Sequence, residues 1–135
     1  MFIGDGLGGR PAWVAPFLSR AADGLGTGRW RAVVVDDDRG RPVASAMAVH
    51  GEVPPAPGRE NGRTAHIGSV ATEPTWQRRG CARAAMTALV AELDAAGVES
   101  TTLNATADGT DLYDSLGFVA SPAGAMRRPG PQASP

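Results

Sequence analysis

The residues with the clearest chemical potential lie at one junction, Gln77-Arg78-Arg79-Gly80-Cys81-Ala82, followed by Arg83 and an alanine-rich run. Met86, Leu89, Val90 and Leu93 recur at spacings of three and four, which predicts a helix with one apolar face starting near Cys81. The first amides of a helix lack intrahelical partners, and the aligned peptide dipoles make that end positive. Gly80 and Ala82 keep the surface thin enough for a phosphate to approach the backbone, and Arg78, Arg79 and Arg83 add cations. This is an anion site in form, although Arg-Arg-Gly before a helix reads equally well as a solvated lead-in. The spacing does not match the P-loop, which needs Lys-Ser/Thr after its last glycine, or the three-glycine dinucleotide pattern.

Other reactive residues are sparse. Cys81 is the single cysteine, which excludes an internal disulfide and a multi-cysteine metal site, and His50 and His66 show no metal-ligand spacing. Asp36-Asp37-Asp38 lacks the spacing of a calcium loop and reads as a turn. No metal is expected. Cys81 near a helix start has no local histidine partner, so it reads as a small residue beside the anion site rather than a nucleophile.

The elements that must position the junction follow from periodicity and turn residues. Residues 1–10 are glycine-rich and read as a flexible lead-in. Pro11 suits a first helical turn, and Trp13, Val14, Phe17, Leu18 and Ala21 form an apolar stripe ending near Gly24, with a loop over 24–28. Residues 31–35 and 42–49 predict a hairpin around the Asp36 turn, and 53–63 a Pro/Gly-rich surface loop. Residues 66–71 read as the central strand, leading through Glu73-Pro74 to the junction. Gly97 closes the long helix, 100–106 forms another strand, and 108–116 a short helix. Phe118-Val119 begins a further strand, 125–127 supplies the last one, and 129–135 reads as a loose tail. One domain over 11–128 suits the 135-residue length.

Formal charge of -1, from 13 basic and 14 acidic residues, argues against nucleic acid as a partner. No apolar run reaches the roughly 20 residues needed to span a bilayer, and no export segment is evident. A cytoplasmic enzyme with no membrane partner is the expectation.

The order strand, Gln77-Arg78-Arg79-Gly80-Cys81-Ala82, helix, strand with Leu103-Asn104, then Leu112-Tyr113 and Leu116-Gly117-Phe118 resembles the GCN5-related N-acetyltransferases. The resemblance covers roughly residues 30–127. It implies an α/β (α+β) fold, a mixed and mostly antiparallel sheet with flanking helices of the acyl-CoA N-acyltransferase type. It also implies acetyl-CoA as co-substrate and an amine on a small molecule or protein as acceptor. By the same resemblance, Arg78, Arg79, Gly80, Cys81, Ala82 and Arg83 meet the pyrophosphate, and Ser69, Val70 and Ala71 hold the pantetheine and thioester. Asn104 stands beside the pantetheine arm, and Tyr113 protonates the departing thiolate. The general base is open among Glu73, Glu52 and His66. Family members usually begin with a strand and helix that look missing here; an uncovered edge at residues 31–35 would favour a homodimer. A coenzyme-binding subunit without catalytic activity is the alternative expectation.

Overall fold

In a computed structural model, residues 12, 14–121 and 124–131 are described. Helix α1 (Val14–Thr27) is followed by strands β1 (Trp30–Asp36), β2 (Pro42–Glu52) and β3 (Arg63–Thr72). A single 3-10 turn (Pro74–Trp76) leads to helix α2 (Cys81–Ala95) and strand β4 (Ser100–Leu103). A second 3-10 turn (Ala107–Gly109) and helix α3 (Thr110–Ser115) come last. The chain groups into two compact units, one ending at Asn104 and one beginning at Ala105.

In the first unit the four strands lie in the order β1-β2-β3-β4. The first two pairings are antiparallel, and β3 with β4 is parallel. Residues directly opposite one another share a face of the sheet. One row is Arg31–Ala48–Ile67, and Arg31 reaches from it to Glu92 of α2 at 3.1 Å. That face is therefore the one α2 covers, with Ala46, Ala48, Ala65 and Ile67 buried against Met86, Leu89 and Leu93. Alanines in β2 let the helix approach closely, and the three large α2 side chains, all 0–1% exposed, fill the gap. The other face carries the row Trp30–Val49–His66, and Phe17 of α1 lies against Trp30 with ring centroids 6.2 Å apart.

The register contains one irregularity that matters. Met47 faces Ser69 and Ala48 faces Ile67, so Gly68 is an extra residue in β3. A glycine at a bulge adapts without side-chain strain and bends the strand there. Pairing with β4 stops at the same place, Ile67 opposite Leu103, while β3 continues to Thr72. The parallel pairing thus ends where the bulge begins, because β4 ends there.

Several expected boundaries move. Helix α1 continues through Gly24 to Thr27 instead of ending near Gly24. Gly24 is buried because the Trp30 indole occupies the space where its Cβ would stand. Strand β2 extends to Glu52, since the His50 amide donates to Arg29 and the Val53 amide to Gly62. Strand β4 is shorter than residues 100–106, because the Thr106 carbonyl accepts from the Gly109 amide and turns the chain. The strands expected at 118–119 and 125–127 do not form among the described residues. Val119 and Met126 are 86% and 99% exposed, and no neighbouring strand supplies a ladder. Residues 1–11, Trp13, 122–123 and 132–135 lie outside the described residues, and with them the lead-in, Pro11 and the end of the tail.

Candidate active site

The site begins at the bulged strand. The His50 amide donates to the Arg29 carbonyl at 2.8 Å, so even-numbered residues of β2 bond to β1 and odd-numbered ones to β3. In agreement, the Glu73 amide donates to the Val43 carbonyl at 2.8 Å. Counting back by twos, Ser69 and Ala71 also bond to β2, whereas Val70 and Thr72 turn their N–H and C=O groups away from it. That is the side on which β4 has ended. A linear ligand with amide groups can pair there as a further strand would. Of the three residues expected to hold the pantetheine, Val70 turns its backbone groups to that side, and Ser69 and Ala71 turn theirs to β2. Thr72 turns the same way and was not anticipated; the period of two, combined with the position of Gly68, is the signal for that direction.

The turn after β3 builds the second half of the site. Trp76 is half-buried, and the Arg79 guanidinium sits 4.9 Å from its ring centroid, a cation–π contact that restrains the arginine. Arg78 adopts φ 65°, the single non-glycine residue with positive φ among those described, and Gly80 follows with φ 81°. A left-handed arginine costs about 1–2 kcal/mol, and such strain concentrates at ligand clamps. Gly80 is the N-cap of α2 and offers no side chain to its free amides, and no acidic residue stands in the first turn. The Ala84 amide closes the first helical bond to the Gly80 carbonyl, and the amides of Cys81 and Ala82 ahead of it are donors open to a ligand. Cys81 is a half-buried free thiol at the first helical position, consistent with a space-filling role.

The carboxylates separate. Glu73 is exposed and begins the turn, its carbonyl accepting from the Trp76 amide at 2.8 Å. Glu52 pairs with Arg63 at the far end of β3, roughly 30 Å of strand away. His66 is exposed, with Nδ1 at 2.8 Å from the Thr102 hydroxyl of β4. Asn104 is exposed immediately after β4. Among the described residues, no group of three or more His, Cys, Asp or Glu side chains is placed to hold a metal ion, and no helix is long and apolar enough to cross a membrane.

Glu73 also lines a groove of about 190 Å³ with Val34, Pro42, Val43, Ser45 and Ala71. Val34, Ser45 and Ala71 are one cross-strand row on the face opposite α2.

Tyr113 belongs to the second unit. It is half-buried, packs edge-on against Phe118 at 6.2 Å, and covers Gly109 so closely that a Cβ there would lie 2.7 Å from its Cε2. The Phe118 amide donates to the Tyr113 carbonyl at 3.1 Å, so Leu116-Gly117-Phe118 folds back over the tyrosine.

Known proteins share this fold. The model of the acetyltransferase (GNAT) family matches residues 12–118. A predicted acetyltransferase with acetyl-CoA from Clostridium acetobutylicum superposes with a TM-score of 0.78 at 20% identity, over 91% of this chain and 79% of that one. A GCN5-related N-acetyltransferase from Ralstonia eutropha JMP134 gives 0.73 at 28% identity, over 90% and 81%. Glucosamine-6-phosphate N-acetyltransferase from Arabidopsis thaliana gives 0.70 at 14% identity, over 84% and 77%, a likeness of fold alone. A search of curated proteins finds no match. With its family match spanning most of the sequence, the chain belongs to the acetyltransferase (GNAT) family.

Proposed function

We propose that the chain transfers the acetyl group of acetyl-CoA directly to a primary amine, with donor and acceptor bound together. The observation that carries this reading is the unpaired side of β3 beyond Ile67, adjoining an uncapped, cationic helix start. The helix start from Gly80 through Arg83, with Arg78 and Arg79, would meet the pyrophosphate. Val70 and Thr72 would pair with the pantetheine amides, and a backbone N–H of this stretch would polarise the thioester carbonyl. Asn104, just past the end of β4, remains a candidate contact of the pantetheine arm.

Holding the amine against the thioester supplies much of the acceleration, because it replaces a bimolecular encounter. The attacking nitrogen must be neutral, and Glu73 is proposed to take its proton, a reading supported by its position one residue beyond the open stretch of β3. Glu52, at the other end of the strand, is not carried forward. Tyr113 is assigned as the acid that protonates the leaving thiolate.

Calorimetric titration with acetyl-CoA tests the donor site. Arg78→Ala/Arg79→Ala should weaken binding by about ten-fold or more, since charge-assisted contacts contribute roughly 1.5–3 kcal/mol each. A folded wild-type sample that gives neither heat nor thermal stabilisation refutes the reading.

A further inference from the structure

The acetyl-transfer reading leaves the acceptor unnamed, and the groove beside Glu73 narrows it. The groove's walls are Val34, Pro42, Val43 and Ala71, and its volume is about 190 Å³. A cavity near 150 Å³ admits a benzene ring, so the space fits a compact body of that order. Ser45 lies in it at 7% exposure, and its hydroxyl has no hydrogen-bond partner among the described residues. Its Oγ still escapes complete enclosure, for no buried side-chain oxygen or nitrogen lacks a partner. An accessible, unpaired hydroxyl on an apolar floor is an acceptor and donor waiting for a ligand. Glu73 supplies the one charge, and no arginine or histidine lines the groove among the described residues.

We propose that this groove takes the amine, and that the acceptor is a compact, singly charged primary amine with an apolar body of about benzylamine's size. Its ammonium group donates one N–H to Glu73 and another to Ser45, while the body lies along Val34, Val43 and Ala71. An acceptor bearing a carboxylate or phosphate meets Glu73 with no lining cation to offset the repulsion. A polyamine places its second ammonium against apolar walls, where an unpaired charge is costly. Ala71 lies between Val70 and Thr72, so acceptor and thioester converge on one stretch of β3. In the reaction the ammonium gives one proton to Glu73, and the freed lone pair attacks the thioester carbon. The C–N bond forms and the C–S bond breaks. Sulfur leaves with the electron pair and takes up a proton, giving amide, thiol and one net proton released.

This inference rests on the acetyl-transfer reading, so acetyl-CoA affinity is measured on every sample. Thiol release is then followed with benzylamine, glycine, spermidine and glucosamine 6-phosphate. Benzylamine should exceed each of the others in kcat/KM by about ten-fold or more, the discrimination expected of a small apolar pocket. Val34→Phe, at a position 43% exposed and so tolerant of a larger side chain, should raise the benzylamine KM by about ten-fold at unchanged acetyl-CoA affinity. Ser45→Ala should raise it less. Preference for spermidine or an anionic amine, or an unmoved KM in Val34→Phe, overturns the proposal. Tight acetyl-CoA binding without benzylamine acetylation overturns it alone. No acetyl-CoA binding by folded protein removes the acetyl-transfer reading as well.

Discussion

Two glycines in one helix offer a direct test of how α1 is fixed to the sheet. A Cβ built on Gly24 would stand 2.4, 2.6 and 2.7 Å from three indole atoms of Trp30, whereas one on Gly26 meets nothing within 4 Å. Both lie in α1, so replacement by alanine brings each a similar propensity gain, about 1 kcal/mol in mid-helix and less near the end. Only Gly24→Ala must also displace Trp30, which is half-buried at the start of β1 and in contact with Phe17. Overpacking of this kind costs about 1–3 kcal/mol. The indole is rigid and the contact is with its inner carbons, so rotating the far end of a side chain gives no easy escape. Gly26→Ala should therefore be neutral to stabilising, and Gly24→Ala should lie about 1–3 kcal/mol below it. At about 4 °C per kcal/mol for a domain of this size, the pair should differ by roughly 4–12 °C in Tm. Urea unfolding followed by tryptophan fluorescence gives the same comparison in free energy. Equal midpoints for the two variants would show that Gly24 does not make room for Trp30, and would return it to the role of an ordinary helix glycine.

Two further outcomes follow from local geometry. Gly109→Ala places a Cβ 2.7 Å from Cε2 of Tyr113 at a φ of −93° that alanine accepts, so the ring alone must move. If the phenol is the acid, kcat should fall by about ten-fold or more at unchanged acetyl-CoA affinity, and an unchanged kcat would remove Tyr113 from that role. His50 is held below the ordinary value of 6.5, first by burial and then by Arg31, whose Nε–H donates to its Nε2 at 3.3 Å. The folded state therefore resists a proton that the unfolded chain accepts. Stability should decline as pH falls from about 6.5 toward the depressed folded value, and this part of the slope should vanish in His50→Gln. Urea midpoints at pH 7.5 and 5.5 measure it, and equal slopes in wild type and variant would contradict the assignment.

Helix α2 was legible because Met86, Leu89 and Leu93 repeat at helical spacing and need only a sheet to cover them, which the three buried side chains found. The cationic helix start was legible for the same local reason, since Gly80 and its arginines are neighbours in the chain. What the sequence hid were facts about partners. Gly24 carries the breaker signal of any glycine, and only the position of Trp30 explains why the helix runs through it. Ser69, Val70 and Ala71 look alike as strand residues, but the register of β2 decides which of them turns its backbone groups away from β2. Trp76 gave no sign of supporting Arg79, since that contact depends on the path of the 3-10 turn. Thr106 ends a strand through a bond to Gly109 that propensity does not reveal.

The half-paired strand has a consequence beyond catalysis. Among the described residues, the sheet from Gly68 to Thr72 has no neighbour on its β4 side, so on the proposed acetyl-transfer reading a bound donor would complete the ladder as well as enter the reaction. Folding and donor supply are then thermodynamically linked: at a free concentration of 100 Kd, the ligand adds about 2.7 kcal/mol to the native state. Amide exchange at Val70 and Thr72 would slow as the ladder closes, while that at Ser69 and Ala71, already bonded to β2, would change less. In a cell, a chain dependent on that linkage would be degraded faster when acetyl-CoA is scarce. Its abundance would then follow the metabolic state that sets its substrate.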